Sequence, residues 1–348
     1  MKILHVIDTL SLGGAERICI TTANLFSSKG YDVTVLELLK VGPLGKFLKP
    51  QVKTICLHRK SKFNIKTIYD LSEILDRYDV IHVHMRHVYR YVYLANFLSK
   101  RTLILHDHFN KFSQQQISNL IYYKLLSGHI YVSVNEAGVN WAIQNIGLQV
   151  DRVFKVINVI DKVERRNDIR NKNFVLVSNI KREKNIDFLI PLAKEIFEQD
   201  GGVQIDVIGK VMDEQYFEEI SNQLTNLKLQ DRVRFLKDVD AVQEIVGGYA
   251  IGLHFSKKES GPLVLLEYLA QNVPFVSYRT GEISDQIFKT LPMFFMNDFD
   301  AKAWRHRIFD LVTGRILYSS LEGVFEAIND TDNYFSQWLK IYKKSISL

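Results

Sequence analysis

Short apolar runs recur along the chain and alternate with longer stretches in which apolar side chains return every three or four positions. A run without polar alternation marks a strand buried on both faces, and the stretches between mark the helices that cover those faces. The first part of the chain has such runs at residues 3–7, 33–38, 53–57, 80–83, 103–105, 130–134 and 153–157. A charged segment at 161–172 interrupts the pattern, which restarts with runs at 174–178, 205–208, 233–236, 251–255 and 275–277. This predicts an α/β chain of two Rossmann-like domains, each built on a parallel sheet, facing across a cleft. The expected boundaries are 1–165 for the first domain, 172–328 for the second and 329–348 for a terminal helix. That helix carries Phe335, Trp338, Leu339 and Tyr342 at helical spacing, a stripe suited to core packing, and is expected to pack back toward the first domain.

Composition fits two globular cores: of 348 residues, 47% are hydrophobic and 24% charged. Cys19 and Cys56 are the two cysteines, both in apolar segments, so neither a disulfide framework nor a cysteine zinc site is indicated. The N-terminal stretch is too short and too polar after Ile7 for a signal peptide, and no apolar run approaches a membrane span, so a cytoplasmic protein is expected. The net charge of +6 favours anionic partners, yet no arginine-rich block with interleaved aromatics points to nucleic acid.

The sharpest chemical signal follows the run at 251–255, where Glu259 and Glu267 bracket Ser260, Gly261, Pro262 and Leu263. Gly261-Pro262 puts a proline where the first turn of a helix tolerates one, so Glu259 is expected in a loop and Glu267 on the helix. Unpaired amides at that helix start, with the positive end of its dipole, attract a phosphate or diphosphate. The carboxylates can accept hydrogen bonds from hydroxyls on either side, and Glu267, set among leucines, needs a donor such as a ribose diol. Pairing with a lysine or capping of a neighbouring backbone is the structural alternative.

Gly13 and Gly14 follow the first strand and open a helix, where glycine permits close backbone approach and the amides face an anion. The full G-x-G-x-x-G pattern and the P-loop signature are both absent, so a bound dinucleotide cofactor is not expected. His106-Asp107-His108 ends the fifth strand at the carboxyl edge facing the predicted cleft, where a histidine can bond a sugar hydroxyl or be satisfied by backbone. His82 and His84 share a strand face, but no carboxylate is evident to complete a metal site. The loose D-x-D pattern occurs at 238–240, 298–300 and 330–332, and three hits show how unspecific it is. Cations of the loop Lys181-Arg182-Glu183-Lys184 are expected to neutralise leaving-group charge instead, although a solvated turn fits the same residues. No metal and no cofactor are expected.

Taken in order, these pieces resemble family four of the retaining glycosyltransferases, which have the GT-B fold, over nearly the whole chain. Gly13-Gly14-Ala15-Glu16-Arg17 looks like that family's glycine loop, and His106 falls where its cleft histidine lies. Ser133, the stretch Asn158-Val159-Ile160-Asp161, Lys184-Asn185 and Gly209 follow in the family's order before Glu259 and Glu267. The resemblance implies that Glu259 faces the donor sugar, Glu267 binds ribose, and the amides from Gly261 to Leu263 meet the diphosphate. It also implies a lysine and an arginine on the diphosphate. Lys184 matches the lysine, but Asn179 stands where the arginine is expected, and Lys181 or Arg182 is left to compensate. The implied activity is metal-independent transfer of a hexose from a UDP-sugar to an acceptor hydroxyl, with catalytic roles for Glu259, His106 and Lys184. The acceptor, a saccharide or lipid-linked saccharide of cell-surface polysaccharide synthesis, is expected near Arg86, His87, Arg90 and His108 at an inner-membrane surface. A binding subunit without turnover, a sugar-nucleotide epimerase and a phosphorylase are the alternatives on the same fold.

Overall fold

Valine, isoleucine and leucine fill both faces of the apolar runs, and the runs form parallel strands sheathed by helices. The computed structural model describes residues 1–61, 64–108, 116–164, 170–237, 239 and 241–348, with backbone alone at 116 and 117. Residues 165–169 of the expected connector, and Asp238 and Asp240, lie outside the described residues. The chain divides into two units, Met1–Ile160 with Asp330–Leu348, and Asp161–Asn329.

The first unit contains β1 (Lys2–Ile7), α1 (Gly14–Ser28), β2 (Asp32–Glu37), β3 (Lys53–Cys56), α2 (Ile65–Leu75) and β4 (Val80–His84). It continues with α3 (Arg86–Ser99), β5 (Leu103–Asp107), α4 (Gln116–Leu126), β6 (Ile130–Ser133), α5 (Glu136–Asn140) and β7 (Val153–Lys155). The strands lie in the order β3-β2-β1-β4-β5-β6-β7, all parallel, so the order reverses between β1 and β4. One face of the sheet packs on α2, α3 and a wide turn at Trp141–Ile146, and the other packs on α1.

The second unit contains β8 (Phe174–Val177), α6 (Leu189–Gln199), β9 (Ile205–Ile208), α7 (Glu214–Asn226), β10 (Val233–Leu236), α8 (Val242–Val246) and β11 (Ile251–His254). After these come α9 (Leu263–Ala270), β12 (Phe275–Tyr278), α10 (Glu282–Phe288), β13 (Phe295–Met296), α11 (Ala301–Val312) and α12 (Leu321–Ile328). Its order is β10-β9-β8-β11-β12-β13, again all parallel, reversing between β8 and β11. Tyr268 of α9 fixes that helix over the reversal. Its hydroxyl accepts from the Val177 amide at 3.2 Å and lies 3.2 Å from the Leu253 carbonyl. Gly252 makes room for it, since a Cβ there would fall 2.6 Å from the Tyr268 ring.

The last helix, α13 (Thr331–Ser347), belongs to the first unit. Tyr334 Oη lies 2.8 Å from Thr22 Oγ1 on α1, and Tyr342 Oη lies 2.8 Å from His82 Nδ1 on β4. Trp338 between them is fully buried. Among the described residues, no helix is long and apolar enough to cross a membrane.

Candidate functional site

In an open parallel sheet, ligands bind beyond the carboxyl ends of the strands, where the strand order reverses. In the second unit that place is between β8 and β11. The loop after β8 carries Lys184 and the loop after β11 carries Glu259, and the Lys184 ammonium donates to Glu259 Oε1. His254, the last residue of β11, has Nε2 3.5 Å from the same oxygen, while its Nδ1 lies 2.9 Å from Ser277 Oγ. At 3.5 Å the His254 contact is at the limit of a hydrogen bond. Burial works to raise the Glu259 carboxyl, but His254 and Lys184 outweigh it and hold the group down at about 2. A partly buried carboxylate therefore stays ionised at the strand reversal.

The loop is held from behind by residues that the sequence reading did not single out. The Glu259 amide donates to Thr280 Oγ1 at 3.1 Å, and the Thr280 hydroxyl donates to the Lys257 carbonyl at 3.3 Å. The Glu282 amide donates to the Ser260 carbonyl at 3.1 Å. Gly281, at φ +82°, lets this turn press close, because a Cβ there would lie 3.0 Å from the Glu259 carbonyl oxygen and from Pro262 Cδ. A glycine three residues after a strand, followed by an acidic residue at a helix start, was the available signal.

Pro262 caps α9 rather than occupying its first turn, and Gly261 precedes it. Pro262 offers no side-chain cap and the first turn of the helix holds no acid, so the amides from Leu263 onward present partial positive charge beside Glu259. Glu267 is buried, 4% exposed, in the middle of α9.

Among the cationic residues the structure separates what the sequence had grouped. Lys181 is half-buried and pairs with no described residue. Arg182 is turned away from Glu259: its guanidinium donates to Glu219 at 2.6 Å, lies 3.8 Å from Asp213 and covers the Tyr216 ring. It is committed to α7, which removes it as the stand-in for the missing arginine. Asn179 does not reach the pair either, because its Oδ1 accepts from the Lys210 amide at 3.2 Å and ties the end of β8 to that of β9. Gly209 permits this closeness, since a Cβ there would fall 2.1 Å from the Ser178 carbonyl oxygen.

The first unit's reversal lies between β1 and β4, where Asp8 meets Arg59 at 3.3 Å and His87 at 2.9 Å. Glu37 shapes the loop after β1 by accepting from the amides of Leu10 at 2.7 Å and Gly42 at 2.8 Å. Gly13 caps α1 and Gly14 begins it, but the expected anion slot is filled from within. A Cβ on Gly13 would lie 2.3 Å from Glu16 Oε2, whose partner carboxylate oxygen accepts from Ser11 Oγ at 3.0 Å. Burial raises the Glu16 carboxyl, with the Ser11 bond opposing. A donor phosphate at Gly13 and Gly14 would meet this acid, so the structure does not bear out their part in donor binding.

His106 is likewise not at a surface. It is fully buried in a stack of imidazoles from β1, β4 and β5, with Trp338 4.8 Å away. His5 Nδ1 is 3.1 Å from His84 Nε2, His82 Nε2 is 3.1 Å from His106 Nδ1, and His84 Nδ1 is 3.4 Å from His108 Nε2. Burial depresses all five, His5 and His108 to about 3, so they are neutral at pH 7 and can share protons as donor and acceptor in turn. The side chains of His82, His84 and His106, and separately of His5, Cys19 and His84, are close enough to hold an ion, a grouping not foreseen from His82 and His84 alone.

Arg86 is also internal, not an acceptor contact: it donates to Asp107 at 2.7 and 2.5 Å and lies over the Trp141 ring. His87 and Arg90 do stand at the surface of α3. The D-x-D pairs are structural. Asp300 caps α11, and Asp330 caps α13 while Asp332 pairs with Lys29.

A family model described as Glycosyltransferase Family 4 matches residues 12–162, and one described as Glycosyl transferases group 1 matches residues 159–322. Over 305 residues the chain is 25% identical to N-acetyl-α-D-glucosaminyl L-malate synthase of Bacillus anthracis, covering 80% of this chain and 78% of that relative. Anabaena HepE, solved with UDP and glucose, is similar with TM-score 0.82 at 18% identity, over 99% of this chain and 100% of that one. A variant of S. aureus TarM, solved with Fondaparinux, α-GlcNAc-glycerol and UDP, is similar with TM-score 0.79 at 11% identity, over 98% of this chain and 99% of that one. At these identities the likeness to the solved structures shows a shared fold.

Proposed function

This chain belongs to the GT-B glycosyltransferases of the family-four type, and on that premise we propose that it moves a hexose from a UDP-sugar to an acceptor hydroxyl with retention and without a metal ion. The observation that carries this reading is the Lys184–Glu259 pair at the β8/β11 reversal, beside the start of α9. UDP in the solved HepE and TarM structures supports the choice of base, and the α-configured sugar in the name of the B. anthracis relative supports retention.

In this reading the donor's diphosphate draws Lys184 away from Glu259, and Lys181 and the first amides of α9 join it. The released carboxylate accepts from a hydroxyl of the donor sugar, and Glu267 serves the ribose. The bond from C1 to the diphosphate oxygen breaks while the acceptor oxygen bonds C1 from the same face. The acceptor's proton passes to a phosphate oxygen of the leaving group, so no protein nucleophile is needed. Charge stabilisation by fixed donors supplies the rate. The acceptor is a saccharide on a lipid carrier in cell-surface polysaccharide synthesis, met by His87 and Arg90.

One observation favours a second reading, a binding subunit with little turnover: neither Asn179 nor Arg182 supplies the second cation that the family places on the diphosphate. Incubating the chain with UDP-glucose, UDP-galactose and UDP-N-acetylglucosamine and a panel of saccharide acceptors separates the two. Transfer that keeps the anomeric configuration, survives EDTA and falls at least roughly 100-fold in Glu259→Ala supports the enzyme. UDP binding with no transfer to any acceptor supports the subunit, and transfer untouched by Glu259→Ala overturns the site.

A further inference from the structure

We propose that Asp8 and Arg59 are positioning residues that set the tautomer of His87, and that His87 thereby selects a hydroxyl of the acceptor over a carboxylate. The inference rests on the transferase reading and deepens its acceptor side. Asp8 directly follows β1 and His87 is the second residue of α3, after β4, so the two meet at the first unit's strand reversal. Met85, between β4 and α3, has φ +73°, a conformation unfavourable for a residue with a side chain and one that gathers at binding sites. Beyond that turn the His87 ring lies against Asp8, with Nε2 2.9 Å from Oδ2. Arg59 takes the other oxygen, Oδ1, at 3.3 Å. It is itself fixed: its side chain is 7% exposed, and its guanidinium lies 4.1 Å from the centre of the Tyr91 ring.

The donor rules then place the protons. A carboxylate only accepts, so in neutral His87 the proton is on Nε2 and Nδ1 is a bare lone pair. Among the described residues no other hydrogen bond or ion pair holds the ring, and it is 45% exposed. A lone pair offered there takes a group that donates, such as a sugar hydroxyl, and rejects one that only accepts, such as a carboxylate. The further charges nearby are Glu16 on α1, Arg90 one turn along α3, and Lys66, Asp70 and Glu73 on α2, which packs against α3; none of them forms a hydrogen bond or ion pair with His87. Arg59 also fixes what a substitution does. A guanidinium only donates, so in Asp8→Asn the amide oxygen must face Arg59 and the NH₂ must face His87. Nε2 then has to accept, the proton moves to Nδ1, and the ring presents a donor. Adding Arg59→Met frees the amide to turn round and restores the first tautomer.

Nitrogen NMR of the His87 ring in the full chain, assigned by its absence in His87→Gln, reads the tautomer without turnover at a pH well above the ordinary imidazole value of about 6.5. The wild type should carry the proton on Nε2, Asp8→Asn on Nδ1, and Asp8→Asn with Arg59→Met on Nε2 again, a reversal that a merely structural contact would not produce. With UDP present, methyl glucoside should shift the wild-type resonances at concentrations at least roughly fivefold below those of methyl glucuronoside, the worth of about one hydrogen bond. Asp8→Asn should lose or invert that preference. Melting temperatures check that each variant folds, and where Asp8→Asn does not, the wild-type tautomer and preference decide. A wild-type proton on Nδ1, an equal response to the two glycosides, or no response to either overturns the proposal. Absence of transfer with the resonances as expected counts against the transferase reading alone.

Discussion

Glu259 keeps its charge where burial alone would remove it, and that has a measurable signature in acid. Its folded-state pKa of about 2 lies below the ordinary 4.5, so as pH falls the unfolded chain takes up the proton first. The stabilisation is present above about 4.5 and is lost as pH falls toward 2, with a total on the order of a few kcal/mol. In Glu259→Gln the acid arm of the second unit's unfolding free energy should flatten across that window. Urea titrations at stepped pH would show it, and an arm of unchanged slope would refute the ion pair. Lys184→Ala should lower kcat by roughly 100-fold or more with a smaller change in KM for the donor, if its cation acts on the departing diphosphate. Glu259 and Lys184 were legible because each sits in a short motif after a strand. His254 was not, since it lies inside an apolar run and carries no motif. Nor could spacing show that Arg182 would find Glu219 on another helix, because a flexible cation takes whichever acid lies within reach.

At the scale of elements, the glutamate loop depends on the turn after β12. Gly281→Ala puts a side chain at positive φ and against the Glu259 carbonyl, so a loss of about 1–3 kcal/mol in stability and a fall in transfer rate are expected. Gly30→Ala is the matched control. It has the same sign of φ and nothing within 4 Å, so it should cost stability without touching transfer. Equal kinetics in the two variants would mean that the turn does not position Glu259. The strands themselves were readable, because parallel strands buried on both faces leave unbroken apolar runs. Elements without such a run were not: β13 is two residues long, and the wide turn at Trp141–Ile146 looks like ordinary helix by its spacing. The cap of α9 was read one position off because proline is accepted at both places.

Over the whole molecule the two units should answer acid differently. His5 and His108 remain neutral in the folded first unit down to about pH 3, whereas unfolded histidines gain protons below about 6.5. Stability is therefore lost as pH falls from 6.5, by about 2 kcal/mol at pH 5 for each imidazole that stays neutral. Calorimetry at pH 7 and pH 5 should show the first unit's transition moving down well before the Glu259 window opens, and transitions that keep their spacing would contradict the buried stack. His82 and His84 could be placed on one strand face from sequence, but the layer of five forms only through the pairing of β1 with β4 and of β4 with β5, a register that spacing does not give. That layer is also covered by α13, which is made after the whole second unit. Tyr342 and His82 are 260 positions apart, and Tyr334 and Thr22 are 312 apart, with all of Asp161–Asn329 synthesised between. On a translating ribosome, at roughly 5–20 residues per second, the nascent first unit waits on the order of ten seconds or more for Trp338. Through that interval its imidazole face is bare to solvent, a natural binding site for a chaperone and a point at which a stalled chain would aggregate.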